Sequence, residues 1–158
     1  SKPPIRYFVG SIVTISDNFP SRPGYSMTIT RPFLMFQDSN AQSALDLYFS
    51  AFPDSRMVQV ERYAKGEPGA EGTIKVATFT LCGREFMCSD SPVKHGFSFT
   101  PASSTFVEFD SITELERVFA LLSEGGSVLM PLGNYGFSPK FAWVNDRFGV
   151  SWQLNMAS

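Results

Sequence analysis

The chain has 158 residues, 43% hydrophobic and 18% charged, which fits one globular domain or two small halves sharing a core and excludes a disordered chain. A net charge of −2 and a pI near 5.4, with no basic stripe, argue against nucleic acid and anionic membrane surfaces as partners. No apolar run approaches the roughly 20 residues of a membrane-spanning helix, and IRYFVGSIVTI (5–15) holds Arg6 and lacks a good signal-cleavage site, so the expected location is cytoplasmic.

Residues 1–26 carry four prolines and no helical pattern, and read as an N-terminal arm or extension to a domain over 27–158. Within it YFVGSIVTI has the composition of a strand that could pair with a second copy. TITRPFLMF (28–36) then reads as a strand and DSNAQSALDLYFSAF (38–52) as a helix. Ser39 and Gln42 have capping-box spacing, Ala41, Ala44, Leu45, Tyr48, Phe49 and Phe52 share a face, and Pro53-Asp54-Ser55 ends the helix. MVQVERY (57–63) is a strand, and the polar AKGEPGAEG (64–72) is a loop long enough to serve as a flap. TIKVATFTL (73–81) and EFMCS (85–89) make a hairpin about Gly83-Arg84, which sets Cys82 opposite Glu85 and Cys88 opposite Phe79. The two thiols are then not cross-strand partners, and reduced cysteines fit an intracellular setting.

A loop over 92–102 carries the only histidine, His95, with no charged partner at readable spacing. STFVEFD (104–110) is a strand, and SITELERVFALLSEGG (111–126) is a helix with Ser111 and Glu114 as capping box. Three strands follow at 127–132, 140–146 and 150–155; Asp146 to Gly149 is a turn whose charges are expected at the surface. The order β-α-β-β-β thus occurs twice, about 28–90 and 104–156. The fold class is α+β: paired β-α-β-β-β modules whose sheets form an incomplete barrel, with helices on the outside.

Strand parity sorts the side chains. Ala77, Phe79, Leu81, Phe86 and Cys88 face a helix, while Val76, Thr78, Thr80, Cys82 and Met87 face a cleft. In VSWQLN, Val150, Trp152 and Leu154 go under a helix and Ser151, Gln153 and Asn155 go inward. Ser104, Phe106 and Glu108 join the inward set, opposite Thr105, Val107 and Phe109.

PFLMFQDSNAQSALDLYFSAFPDS, GTIKVATFTLCGREFMCSD and FAWVNDRFGVSWQL, in that order, resemble the opening, first hairpin and closing strands of the PhnB-like proteins. These form a branch of the vicinal oxygen chelate superfamily, which includes glyoxalase I and bleomycin-resistance proteins. The resemblance spans roughly 28–156 and implies the half-barrel reached above. Some members carry a demethylubiquinone methyltransferase label, but no Gly-rich loop after a strand is present to hold S-adenosylmethionine. Superfamily enzymes hold a divalent metal with four inward residues, usually His, Glu or Gln. Those positions fall here on Arg31, Val76 or Thr78, Ser104 and Gln153, and only Gln153 has the usual ligand type. The resemblance therefore implies no metal cofactor, and relatives that bind ligands between two chains imply a homodimer.

The expected function is binding of an unknown small molecule in a metal-free cleft, with Arg31, Thr78, Ser104, Glu108, Trp143 and Gln153 as ligand-binding residues. The alternative is a metal-dependent lyase, isomerase or oxidoreductase of the glyoxalase or dioxygenase type; a third reading is an interaction module whose cleft is filled by its own side chains. Several roles stay open at this stage. Arg31 could meet an anionic ligand, Glu108 or a surface carboxylate, and Trp143 could stack on a ligand or pack. No nucleophile–base pair emerges around His95.

Overall fold

The computed structural model describes residues 28–158, so the arm expected over 1–26 lies outside the described residues. The first module runs β1 (Phe33–Phe36), α1 (Ala41–Ala51), β2 (Ser55–Arg62), β3 (Ile74–Leu81) and β4 (Arg84–Asp90). The second runs β5 (Thr105–Phe109), α2 (Ile112–Ser123), β6 (Ser127–Gly133), β7 (Phe141–Asn145) and β8 (Ser151–Met156). Their strand orders are β1-β4-β3-β2 and β5-β8-β7-β6. In each sheet the first strand is parallel to the last, and the other neighbours are antiparallel. It follows that the two edge strands of a sheet run the same way. The connection between them must cross the sheet, and its helix covers one face. The result is two four-stranded mixed sheets with two helices and, among the described residues, no closed barrel.

The helix-side faces build one common core. Ala77, Phe79, Leu81, Phe86 and Cys88 are at most 5% exposed, and Val150, Trp152 and Leu154 at most 4%, as alternation predicts. α1 buries Ala41, Ala44, Leu45, Leu47, Tyr48 and Ala51. It also reaches the second sheet: the Tyr48 and Phe52 rings lie 4.9 and 5.5 Å from the Trp152 ring. The modules are thus joined through their helix sides, and each sheet's other face is left open.

Four local expectations are corrected. β1 begins at Phe33 rather than near Thr28, because Pro32 has no N–H for a ladder. The helix cap on α1 is not a Ser39–Gln42 box. Ser39 is left-handed at φ 55°, Asn40 is the N-cap without a side-chain bond, and the Ala41 N–H goes to Asp90 Oδ1 at 2.9 Å. Asp90 Oδ2 accepts from Ile74 N–H as well, so one buried carboxylate ties β4 to α1 and β3. In α2, by contrast, Ser111 Oγ accepts from Glu114 N–H as expected.

The hairpin turn is Cys82-Gly83, not Gly83-Arg84. Both residues have positive φ, 49° and 79°, as a tight two-residue hairpin requires. Leu81 therefore pairs with Arg84 and Ala77 with Cys88. The partner shifts by two residues, so the strand side chains keep their expected faces, while Cys82, expected toward the cleft, sits in the turn instead. The thiols are unpaired, Cys82 exposed and Cys88 buried.

The fourth correction concerns Asp146, which is not a surface charge but 2% exposed. Its Oδ2 accepts from Tyr48 Oη (2.7 Å) and Trp152 Nε1 (2.9 Å), and its Oδ1 from the backbone of Phe148 (2.8 Å) and Val150 (3.1 Å). Burial, with the Asp146 charge next, holds the Tyr48 phenol well above its ordinary range, so it stays a neutral donor.

Candidate functional site

The open face of the second sheet is built from cross-strand rows. Phe106, Gln153, Trp143 and Met130 are successive register partners across β5, β8, β7 and β6. Glu108, Asn155 and Phe141 make the next row. Gln153 is half-buried, Phe106 is 53% exposed, and Glu108 is exposed.

Trp143 is held in place rather than free to swing. Its Nε1–H donates to Ser151 Oγ at 2.8 Å, and Ser151 Oγ lies 2.7 Å from Ser104 Oγ. Ser104 in turn donates to the Pro101 carbonyl at 3.4 Å. One directed chain satisfies all three groups: indole to Ser151, Ser151 to Ser104, Ser104 to Pro101. Ser151 is only 2% exposed, so this chain is a support under the indole. The Gln153 amide, beside it, has no hydrogen-bond partner among the described residues and carries no net charge. Its face therefore offers an amide donor and acceptor between two aromatic rings.

The turn between β6 and β7 closes one end of this face. Tyr135 and Phe137 stack at 6.1 Å, and both pack edge-on against Phe141, which is 3% exposed. Tyr135 Oη donates to the Pro131 carbonyl at 2.6 Å and fixes the turn. Sequence reading took GNYGFSP only as a turn; its two aromatics next to a strand Phe were the available signal.

Arg31 and Thr78 lie on the other sheet. Thr78 sits in the row Phe33, Met87, Thr78, Gln59 and is 9% exposed. Arg31 Nε donates to Glu85 Oε2 at 2.5 Å, which resolves its partner as a local carboxylate and not Glu108. The structure thus groups Ser104, Trp143 and Gln153 with Glu108 at the margin, and separates them from Arg31 and Thr78. His95 is on neither open face: its Nε2 meets Ser91 Oγ at 3.2 Å, and its ring stacks on Phe97.

The four positions matching the superfamily's metal set do not suit a divalent cation. Arg31 is a cation already paired, Val76 has no lone pair, and the Ser104 hydroxyl belongs to the Ser151 chain. Among the described residues no group of three or more His, Cys, Asp or Glu could hold a metal ion. No helix there is long and apolar enough to cross a membrane.

Two mixed sheets in β-α-β-β-β repeats, each with one helix-covered and one open face, define the vicinal oxygen chelate fold. The comparisons narrow this to a branch. A family model described as 3-demethylubiquinone-9 3-methyltransferase matches residues 28–155. A PhnB protein from Bacillus cereus, described as a 3-demethylubiquinone-9 3-methyltransferase, is 49% identical at a TM-score of 0.79, covering 82% of this chain and 100% of its own. A Pseudomonas aeruginosa protein is 30% identical at 0.70, covering 83% and 98%. The chain belongs to this PhnB-like family. The fosfomycin resistance protein FosX from Listeria monocytogenes, solved with Mn(II) and 1S,2S-dihydroxypropylphosphonic acid, shares the fold at 10% identity and a TM-score of 0.58, over 85% and 95% of the two chains. No curated protein matches the chain.

Proposed function

We propose that this PhnB-like chain binds a small molecule on the Gln153 face without a metal, as a cytoplasmic homodimer. The observation that carries the reading is the Gln153 amide, unpartnered between the exposed Phe106 and the braced Trp143. A polar group with unused donors and acceptors, set among aromatic walls, is the composition of a ligand pocket. The donor chemistry of the set favours hydrogen bonding and stacking over Lewis-acid chemistry. Ser104 acts through Ser151 on the Trp143 ring, and Glu108 selects at the margin.

The homodimer rests on apolar exposure. Phe106 is 53% exposed on the open face of the second sheet, and Phe33 is 52% exposed on that of the first. An exposed aromatic ring on each open face is apolar surface that a second copy would cover. In a dimer, a partner's face would complete the ligand cleft; Arg31 and Thr78, on the first sheet, would then contribute from the second copy.

A thermal-shift panel of cytoplasmic metabolites tests the reading, run on the wild type and on Gln153→Ala, with elemental analysis of the same preparation. A shift lost in Gln153→Ala, without stoichiometric metal, supports it. Stoichiometric Ni, Zn, Fe or Mn lost with Gln153 would favour the glyoxalase-type reading instead.

A further inference from the structure

The four strands of the second sheet contain no Lys, Arg or His. The basic residues of that module are Arg117, Lys140 and Arg147, and each is committed elsewhere. Arg117, on α2, pairs with Glu114 and donates from Nη2 to the Ala51 carbonyl at 2.8 Å. Lys140 pairs with Glu116 of α2. Arg147 lies over the Phe148 ring, 4.9 Å from its centre, and Phe148 packs on the core through Phe36. Glu108, by contrast, is exposed on the open face and has no hydrogen bond or ion pair among the described residues. The face therefore presents a carboxylate and no cation.

The groups beside Glu108 have the same electrostatic sign. Trp143 Nε1–H is spent on Ser151, and the Ser151 and Ser104 hydroxyls are spent on each other and on Pro101. The indole can thus meet a ligand only with its ring, whose face is negative, and Phe106 adds a second such face. Both residues are register partners of Gln153, from opposite sides, so their backbones stand two strands or about 10 Å apart. A flat ring in contact on both faces needs about 7 Å, so it fits edge-on above Gln153. Glu108 lies about 7 Å farther along β5 from Phe106, within reach of a group at the ring's end. In the proposed dimer, the first sheet of the second copy brings Arg31 already paired with Glu85, and Lys75 with Glu61 and Glu67. Arg56 sits opposite Thr80, at the turn end of that sheet.

We infer that the Gln153 face selects its ligand by charge and takes a planar organic cation, an aromatic ring bearing an amidinium or a protonated amine. The ring stands between Phe106 and Trp143, whose faces attract its positive charge. Its N–H groups donate to Gln153 Oε1 and to the Glu108 carboxylate. A carboxylate or phosphate ligand would find no cation on this sheet. The inference rests on the binding role proposed for Gln153 and adds to it the sign of the ligand's charge.

The test is a ¹⁵N NMR titration of the full chain with benzamidine, benzamide and benzoate, which share a ring and differ in charge. The two indole N–H signals give a reporter, Trp143 on the face, and a control, Trp152 buried against Asp146. The expected result is saturable shifts at the Trp143 indole and the Phe106 and Gln153 amides with benzamidine. Benzamide should bind about tenfold more weakly, for want of a cation–π contact and an ion pair, and benzoate not at all. Glu108→Gln, at an exposed position, should bring benzamidine down to the level of benzamide. Benzamide or benzoate binding as tightly as benzamidine, and lost in Gln153→Ala, would overturn the charge selection while leaving the Gln153 site standing. No saturable shift at Trp143 with benzamidine, or benzamidine binding unchanged in Glu108→Gln, would also overturn the inference. The Gln153 reading itself falls only if the metabolite panel gives no shift that depends on Gln153.

Discussion

Asp146 is the residue whose loss should be felt most in stability. It satisfies four donors at once: the Tyr48 hydroxyl, the Trp152 indole N–H and the N–H groups of Phe148 and Val150. Asp146→Ala strands two fully buried side-chain donors and the buried Val150 N–H. At about 1–3 kcal/mol per stranded donor, with partial relaxation, the loss is about 4 kcal/mol. That is a large share of the roughly 5–15 kcal/mol that holds an ordinary domain folded. Tyr48→Phe removes one bond and leaves the carboxylate three others, so it should cost about 1.5 kcal/mol, or about 5 °C in Tm. The assay is urea unfolding followed by tryptophan fluorescence, since Trp152 sits beside the network. The two losses should also be sub-additive, because they share a partner. If Asp146→Ala costs no more than Tyr48→Phe, the carboxylate is not the junction described, and the reasoning fails.

The thiols should separate cleanly. Cys88 is pushed up to about 12 by burial, with the Asp90 charge adding to it, while Cys82 is raised more modestly by burial and then Asp54. Ellman's reagent should therefore titrate Cys82 in the native protein and Cys88 only on unfolding. The same shift has a stability consequence. Above an unfolded thiol value of about 9.0 the unfolded chain loses a proton that native Cys88 keeps, so stability present below pH 9 falls as pH rises toward 12. Between about pH 8 and pH 10.5 the wild type should lose about 2 kcal/mol more than Cys88→Ala, read from urea midpoints. Gly126→Ala should destabilise by about 3 kcal/mol in the same assay, because its Cβ would come within 2.1 Å of the Asn145 carbonyl oxygen. Arg31→Ala should change stability by less than about 1 kcal/mol and less at high salt, since the Arg31–Glu85 pair is partly exposed.

Features with a short sequence period were legible; features closed over long range were not. Alternation alone placed Phe79, Cys88, Trp152 and Leu154 under helices, and it did so even though the hairpin register was misjudged by one turn position. The misjudgement came from treating Gly83 as the first turn residue, when the two-residue turn takes positive φ at Cys82 as well. Asp90 followed a strand read as ending at Ser89, and Asp146 read as a surface charge of a turn. Nothing local reveals that one caps a helix 49 residues earlier in the chain or that the other accepts from a tyrosine 98 residues away. The candidate site shows the same division. Parity put Ser104 and Gln153 on one face, but the role of Ser151 as the acceptor that braces Trp143 depends on a β5–β8 pairing between distant segments. Arg31 and Thr78 were grouped with Gln153 because a half-barrel brings both faces toward one cleft. Within the described chain those faces belong to different sheets joined back to back through the helices.

Native mass spectrometry of the freshly purified full chain, wild type beside Gln153→Ala, tests the central claim most directly. The account predicts a dimer carrying a non-covalent organic adduct and no stoichiometric metal, with the adduct lost and the dimer retained in Gln153→Ala, whose Tm matches that of the ligand-free wild type. A metal ion bound in each chain and released by Gln153→Ala, or an adduct unaffected by it, would contradict the account.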